Sequence, residues 1–183
     1  MNEDVFVYRV DAEDRLASVS ENWVTFAQDN AWAGRCSPDK VLGQVLWTFI
    51  QDRETRHLYT EIFKRVRMGK GAGPIPFRCD SPQERRFLQL VILPLEQGHI
   101  EITSRIVRRE PRERVDLLDT ALPRSGKLIR ICSMCKKIAV NPDEWVDMED
   151  ALARMRLFEA DSFPGLTHGL CPVCYRIAMS DLE

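Results

Sequence analysis

The sequence has no surplus of either charge: its 183 residues carry 26 basic and 28 acidic side chains, a formal net charge of −2. A strongly basic nucleic-acid binder is therefore not expected. Phosphate neutralisation needs an excess of Lys and Arg on some face, for which this balance leaves room only as a local patch. No signal peptide is expected either, since the chain opens MNEDVFVYRVDAEDR, with acids among its first residues and no apolar run behind a basic start. Its strongest apolar run, FLQLVILPL, contains a glutamine and a proline and falls short of the ~18 to 20 residues of a membrane span. These absences lead us to expect a cytoplasmic protein with no membrane insertion. Internal repeats and low-complexity segments are missing as well. The length excludes a large multidomain enzyme and leaves room for one domain with a small accessory module.

Cysteine is present in a telling pattern. Four of the six cysteines form two Cys-x-x-Cys pairs, Cys132 with Cys135 and Cys171 with Cys174, while Cys36 and Cys79 stand alone and read as small apolar residues. In a chain without an export signal the paired thiols are expected to be reduced and to hold a metal rather than form disulfides.

Up to about Arg109 the pattern is that of an α+β unit, residues 4–109. VFVYRV and LASVS alternate around DAED as a β-hairpin does. Ser20 stands at an N-cap position ahead of ENWVTFAQDN, where Trp23, Phe26 and Ala27 fall at helical spacing. In QDRETRHLYTEIFKRVRMGKGAGP, Leu58, Ile62 and Val66 make one apolar stripe, and Gly69, Gly71, Gly73 and Pro74 end the helix. The bases Lys64, Arg65, Arg67 and Lys70 near that end complement the helix dipole. PIPFRC, RRFLQLVILPLE and HIEITSRIVRR then read as three strands. The middle one is apolar on both faces, with Phe87, Val91, Leu93 and Leu95 on one and Leu88, Leu90 and Ile92 on the other. Helices cover one face only, so Leu88, Leu90 and Ile92 are expected at an interface with the C-terminal module, a second copy of the chain or flanking residues. Residues 110–125 read as a linker with a short helical turn around VDLLDTAL, and residues 126–183 as a second unit.

In that unit LIRICSMCKKI and HGLCPVCYRI each separate two cysteines by two residues, the spacing by which two thiolates grip one tetrahedral ion from a tight turn. Zinc in a closed structural site is expected, because a catalytic zinc keeps a position open for water. Ligand type alone also suits an iron–sulfur cluster. His168, three residues before Cys171, is an alternative ligand or a neighbour that hydrogen-bonds a ligand sulfur. Between the pairs, WVDMEDALARMRLFEA places Trp145, Met148, Leu152 and Met155 on one stripe, so the module is expected to contain one main helix. From Gly126 to Glu183 seven bases face nine acids, the wrong sign for binding in a nucleic-acid groove. Neither an open metal position nor a paired acid and base is evident, and no enzyme is expected.

The opening hairpin, ENWVTFA, VLGQVLWTFI with Gly43 and Trp47, and the closing strands through PLEQGHIEITSRIV make the first region resemble a PAS sensory domain. ICSMCKKI, Trp145 and THGLCPVC resemble a cysteine-rich segment found beside PAS and receiver modules in bacterial signalling proteins. The resemblance implies an α+β fold: a five-stranded antiparallel sheet with helices on one side enclosing a small cavity, plus a small zinc-stabilised C-terminal module. It also implies ligand sensing and a homodimer formed through the PAS sheet. With no kinase core, receiver, cyclase motif or helix-turn-helix in the chain, a sensor or adaptor acting on a separate output protein is expected. The alternative is a zinc-dependent nucleic-acid-binding transcriptional regulator with a PAS regulatory domain. Flavin-binding members use a cysteine in an Asn-Cys-Arg-Phe-Leu-Gln stretch. Cys36 in GRCSPDK does not reproduce it, and Arg85 stands where RFLQ would need that cysteine. Haem-binding members use a histidine on a cavity helix, a role for which His57 is the candidate; the PAS ligand itself is unknown.

Overall fold

A computed structural model of the chain describes residues 4–29, 37–160 and 162–182; Cys36 lies outside them. β1 (Val5–Val10) and β2 (Leu16–Val19) form the opening hairpin. Its turn is fixed by Asp11, whose carboxylate accepts the backbone N–H groups of Glu13 and Arg15. In α1 (Asn22–Asp29) the start is tied to the sheet rather than capped as expected. The Ser20 hydroxyl accepts the Val7 N–H at 3.1 Å and donates to the Asn22 side chain at 2.6 Å. The short α2 (Pro38–Val41) leads to α3 (Arg53–Arg67), whose N-cap, Asp52, accepts the Thr55 N–H at 2.8 Å. Just past the end of α3, Gly69 takes φ 86°, a left-handed conformation open to glycine.

The three expected strands follow as β3 (Ala72–Arg78), β4 (Glu84–Pro94) and β5 (Ile100–Pro111). With the opening hairpin they complete an antiparallel sheet in the order β2-β1-β5-β4-β3. The first and last strands in sequence are thus neighbours, Tyr8 facing Ile102 and Val10 facing Ile100. Side-chain alternation sends Val10, Leu90, Ile92, Ile100 and Ile102 to one face, where they bury against Leu58, Ile62, Phe63 and Val66 of α3.

This set faces inward, not toward a second copy of the chain. Leu88, Leu90 and Ile92 are 4%, 6% and 0% exposed; Leu90 and Ile92 lie in a cluster that also takes in Cys132, Leu170, Cys171 and Ala178 of the C-terminal half, and Leu88 packs with Phe6 and Ile106. The outward set is the other one, in which Phe87 and Val91 are half-buried and Leu93 is 46% exposed. Strand alternation gives two faces but not their order; α3 decides which is the inside.

The C-terminal part is richer in structure than the expected single helix. β6 (Arg124–Cys132), β7 (Ile138–Asn141), β8 (Glu144–Val146) and β9 (Phe163–Gly169) form a sheet in the order β8-β7-β6-β9, with β6 and β9 parallel. Trp145 lies in β8, outside any helix. Pro142 and Asp143 turn the chain between β7 and β8, the Asn141 side chain accepting the Asp143 N–H and donating to Glu144. The helix shrinks to α4 (Met148–Arg154), broken where Arg156 takes φ 53°, and α5 (Pro172–Ser180) adds a second. Met148, Ala151 and Leu152 still face inward, and with Ile129, Ile131 and Ile138 they form a core of its own for this half. Val115 and Leu117, from the stretch between the sheets, are buried in that core. Leu117 sits in a single 3₁₀ turn, Asp116–Leu118.

The two halves share a seam. Cys132, Leu170, Cys171 and Ala178 pack into the same cluster as the residues under the first sheet. Along the seam the Arg78 N–H at the end of β3 donates to the Met134 carbonyl at 2.8 Å. Asp80, its side chain fully buried, accepts from Arg78 and from Arg112 at 3.3 Å, and Arg112 reaches Glu149 of α4 at 2.7 Å, where Arg85 also donates. At the start of α3, Arg130 of β6 bridges Asp52 at 3.2 Å and Glu54 at 2.8 Å. Desolvation would raise the Asp52 carboxyl, but hydrogen bonds from the Thr55 hydroxyl and N–H, with Arg130, outweigh it and hold it below its ordinary value.

Leu90→Ala should cost about 2–5 kcal/mol in urea denaturation through cavity formation, whereas Leu93→Ala on the outer face should stay within about 1 kcal/mol. Because folding lowers the Asp52 pKa, its contribution is present above the ordinary value of 3.8 and is lost as pH falls through the folded value. The gap in melting temperature between wild type and Asp52→Asn should therefore narrow as pH drops below 3.8.

Candidate metal centre

The four paired cysteines come together at the end of the second sheet. Parallel pairing sets Cys132, the last residue of β6, opposite Gly169, the last of β9. The Ser133 N–H then donates to the Gly169 carbonyl at 2.7 Å. The chain leaves β6 through a tight turn: the Lys136 N–H returns to the Cys132 carbonyl at 3.1 Å, with Lys136 at φ 63°. That turn delivers Cys135 beside Cys132. The second pair stands at the start of α5, where Cys171 is the N-cap and Pro172 the first helical residue, suited there because it has no N–H to lose. One helical turn on, Cys174 points back to the same place.

One sulfur from each of the four residues lies within 4.8 Å of all the others. The Cys135 and Cys171 sulfurs are 3.8 Å apart. A tetrahedron with metal–sulfur bonds of about 2.3 Å has edges of about 3.8 Å, so the cluster has the size of a tetrathiolate site. Its surroundings suit negative sulfur: the Cys171 N–H donates to the Cys132 sulfur and the Cys174 N–H to the Cys171 sulfur, both at 3.4 Å. As bare thiols Cys132, Cys135 and Cys174 would divide their protons unevenly. Hydrogen bonds from Cys135 and Cys174 hold Cys132 well below the usual thiol range, while facing Cys132 pushes Cys135 up to about 11 and Cys174 higher still. A divalent cation at the centre would remove that conflict, since it stabilises all four in the thiolate form. The four cysteines could therefore hold a metal ion, and none of the described cysteines is joined in a disulfide.

The other expected site residues fall elsewhere. His168 is exposed on β9 and lies outside the group of four sulfurs. His57 is exposed on the flank of α3, its ring 6.4 Å from Tyr175 of α5. Cys79 is half-buried against Phe6, Leu88 and Ile106, in keeping with a small apolar residue.

Three supporting residues carry no motif of their own. Lys136 secures the first turn by donating from Nζ to the Ser133 carbonyl at 2.9 Å, and burial lowers its pKa against the pull of Cys79, Asp80 and Cys132. Gly169 leaves room for Arg130, whose Nε would lie 2.4 Å from a Cβ at that position. Arg78 fastens the Cys135 carbonyl to the first sheet at 3.2 Å.

No family model matches the chain, and no curated protein does. Among solved structures, the crystal structure of a domain of an HTR-like protein from Haloarcula marismortui is similar at 17% identity and a TM-score of 0.37, over 57% of this chain and 98% of that one. No helix among the described residues is long and apolar enough to cross a membrane.

Cys132→Ser or Cys174→Ser should weaken metal binding by more than about 100-fold, since even changes one shell out cost about 10–100-fold. Competition with a chromophoric chelator measures this. Metal affinity should fall as pH is lowered, because protons compete for the four thiolates.

Proposed function

We propose that this chain is a signal-transduction sensor or adaptor in which a PAS-like first half detects a small ligand or a partner's state. A zinc-fastened C-terminal half relays that state to a separate output protein. The observation that carries this reading is the shared seam. The metal-ligating turn is hydrogen-bonded to the edge of the first sheet through Arg78 and Met134, and Cys132 and Cys171 pack in the same cluster as Leu90 and Ile92. A change in the packing of that sheet is thereby coupled to the position of the C-terminal half. A ligand with unequal affinity for two such arrangements would shift their populations.

Zinc fits a site of four thiolates and no carboxylate, and a full set of four leaves no position for a reacting water, in line with a structural rather than a catalytic ion. The outward face of the first sheet, with Val91 half-buried and Leu93 and Leu95 exposed, is the surface we assign to pairing of two copies. Native mass spectrometry with metal analysis tests the reading in one measurement. We expect one zinc per chain and a dimer that Leu93→Arg converts to monomer. A freshly purified chain without stoichiometric metal would overturn the relay as proposed.

A further inference from the structure

We propose that the groove between the first sheet and α5 is a binding site for a small, neutral, hydrophobic molecule of one to two aromatic rings. The groove has a volume of about 360 Å³. An apolar cavity of about 150 Å³ already holds benzene, so this one has room for a molecule roughly twice that size. One wall is Ile75, Phe77, Phe87 and Leu88 of β3 and β4 with Val107 of β5; the other is Ile177 and Ala178 of α5. The cysteine turns close one end with Met134, Cys135 and Cys174, of which Met134 can adapt its flexible side chain to an occupant.

Charge decides the class of ligand. Arg78 lines the groove, but its guanidinium is committed to Asp80 and to the Cys135 carbonyl. Asp181, exposed at the rim, disfavours an anion. Among the described residues, no other cation lines the groove to hold a carboxylate or phosphate, which favours a neutral molecule. The exposed Gln89 amide at the mouth can donate or accept one hydrogen bond. Val107 and Ile177 flank the opening with 49% and 56% of their surface in water, area that an occupant would cover. A concave space of this size between two halves of a chain suits a small molecule, whereas a protein partner needs a far larger footprint.

The inference takes its biological role from the sensor reading above, but the groove is tested without it. The full chain, purified with its metal, is titrated with the neutral two-ring probe 6-propionyl-2-(dimethylamino)naphthalene, and fluorescence gives affinity and stoichiometry. We expect one probe per chain. Ile177→Glu and Val107→Glu, on opposite walls, should each weaken binding at least about tenfold, because a carboxylate resists desolvation there. Both residues are already half in water, so the variants should stay folded, which circular dichroism checks. Leu128→Glu, on β6 and 70% exposed, should leave binding unchanged. No saturable binding, binding indifferent to both wall variants, or one probe per two chains with a matching shift in sedimentation would overturn the assignment; the last would make the groove a contact between copies. A metal-loaded chain that fails to bind the probe sinks the groove and leaves the metal reading standing. Probe binding by a chain without metal does the reverse.

Discussion

The C-terminal half depends on the parallel pairing of β6 with β9. Two cysteine turns far apart in sequence meet because the strands that precede them run side by side in the same direction and end level, Cys132 opposite Gly169. A parallel pair needs a long crossover, which here is made from the β7–β8 hairpin and α4 and buries its own core of Ile129, Ile131, Ile138, Met148 and Leu152. Slipping that register by one residue would turn Cys132 to the opposite face and break the tetrahedron. The sulfur cluster and the small core support each other: the core aligns the strands, and an ion bound between the turns would hold the strand ends together.

The seam with the first half follows a different logic. Asp80 and Arg112 are almost wholly withdrawn from water, with side chains 0% and 3% exposed. Taking charges out of water is expensive, and such pairs repay it chiefly when every partner is in place. Asp80, Arg78, Arg112, Glu149 and Arg85 form one connected set that draws on the end of β3, the loop after it, β4, the segment after β5 and α4. A seam built this way fixes one geometry more than it adds stability, because a shifted docking would leave buried charges unpaired. Arg130 does the same at the start of α3, where the space above Gly169 admits its guanidinium.

Much of this was legible in the residues. The hairpin, the amphipathic α3 and the three closing strands follow from alternation and helical spacing, and the two Cys-x-x-Cys turns identify themselves. The face assignment of β4 did not. Its apolar residues run along both sides, and periodicity carries no label for inside. Helical spacing puts Trp145 on one stripe with Met148, three residues on, yet the Asn141–Glu144 turn takes it into a strand. A three-residue strand such as β8 leaves too short a pattern to compete with helical spacing.

Which residues could bind a metal follows from residue type and the two-residue spacing, local facts that any turn of that shape would satisfy. That all four sulfurs face one point, that Leu90 and Ile92 lie inside, and that a groove opens between Phe77 and Ile177 follow from the packed chain. Those outcomes depend on contacts between segments distant along the chain, and the free energy of such contacts is set by burial and register, which no short stretch of residues carries alone.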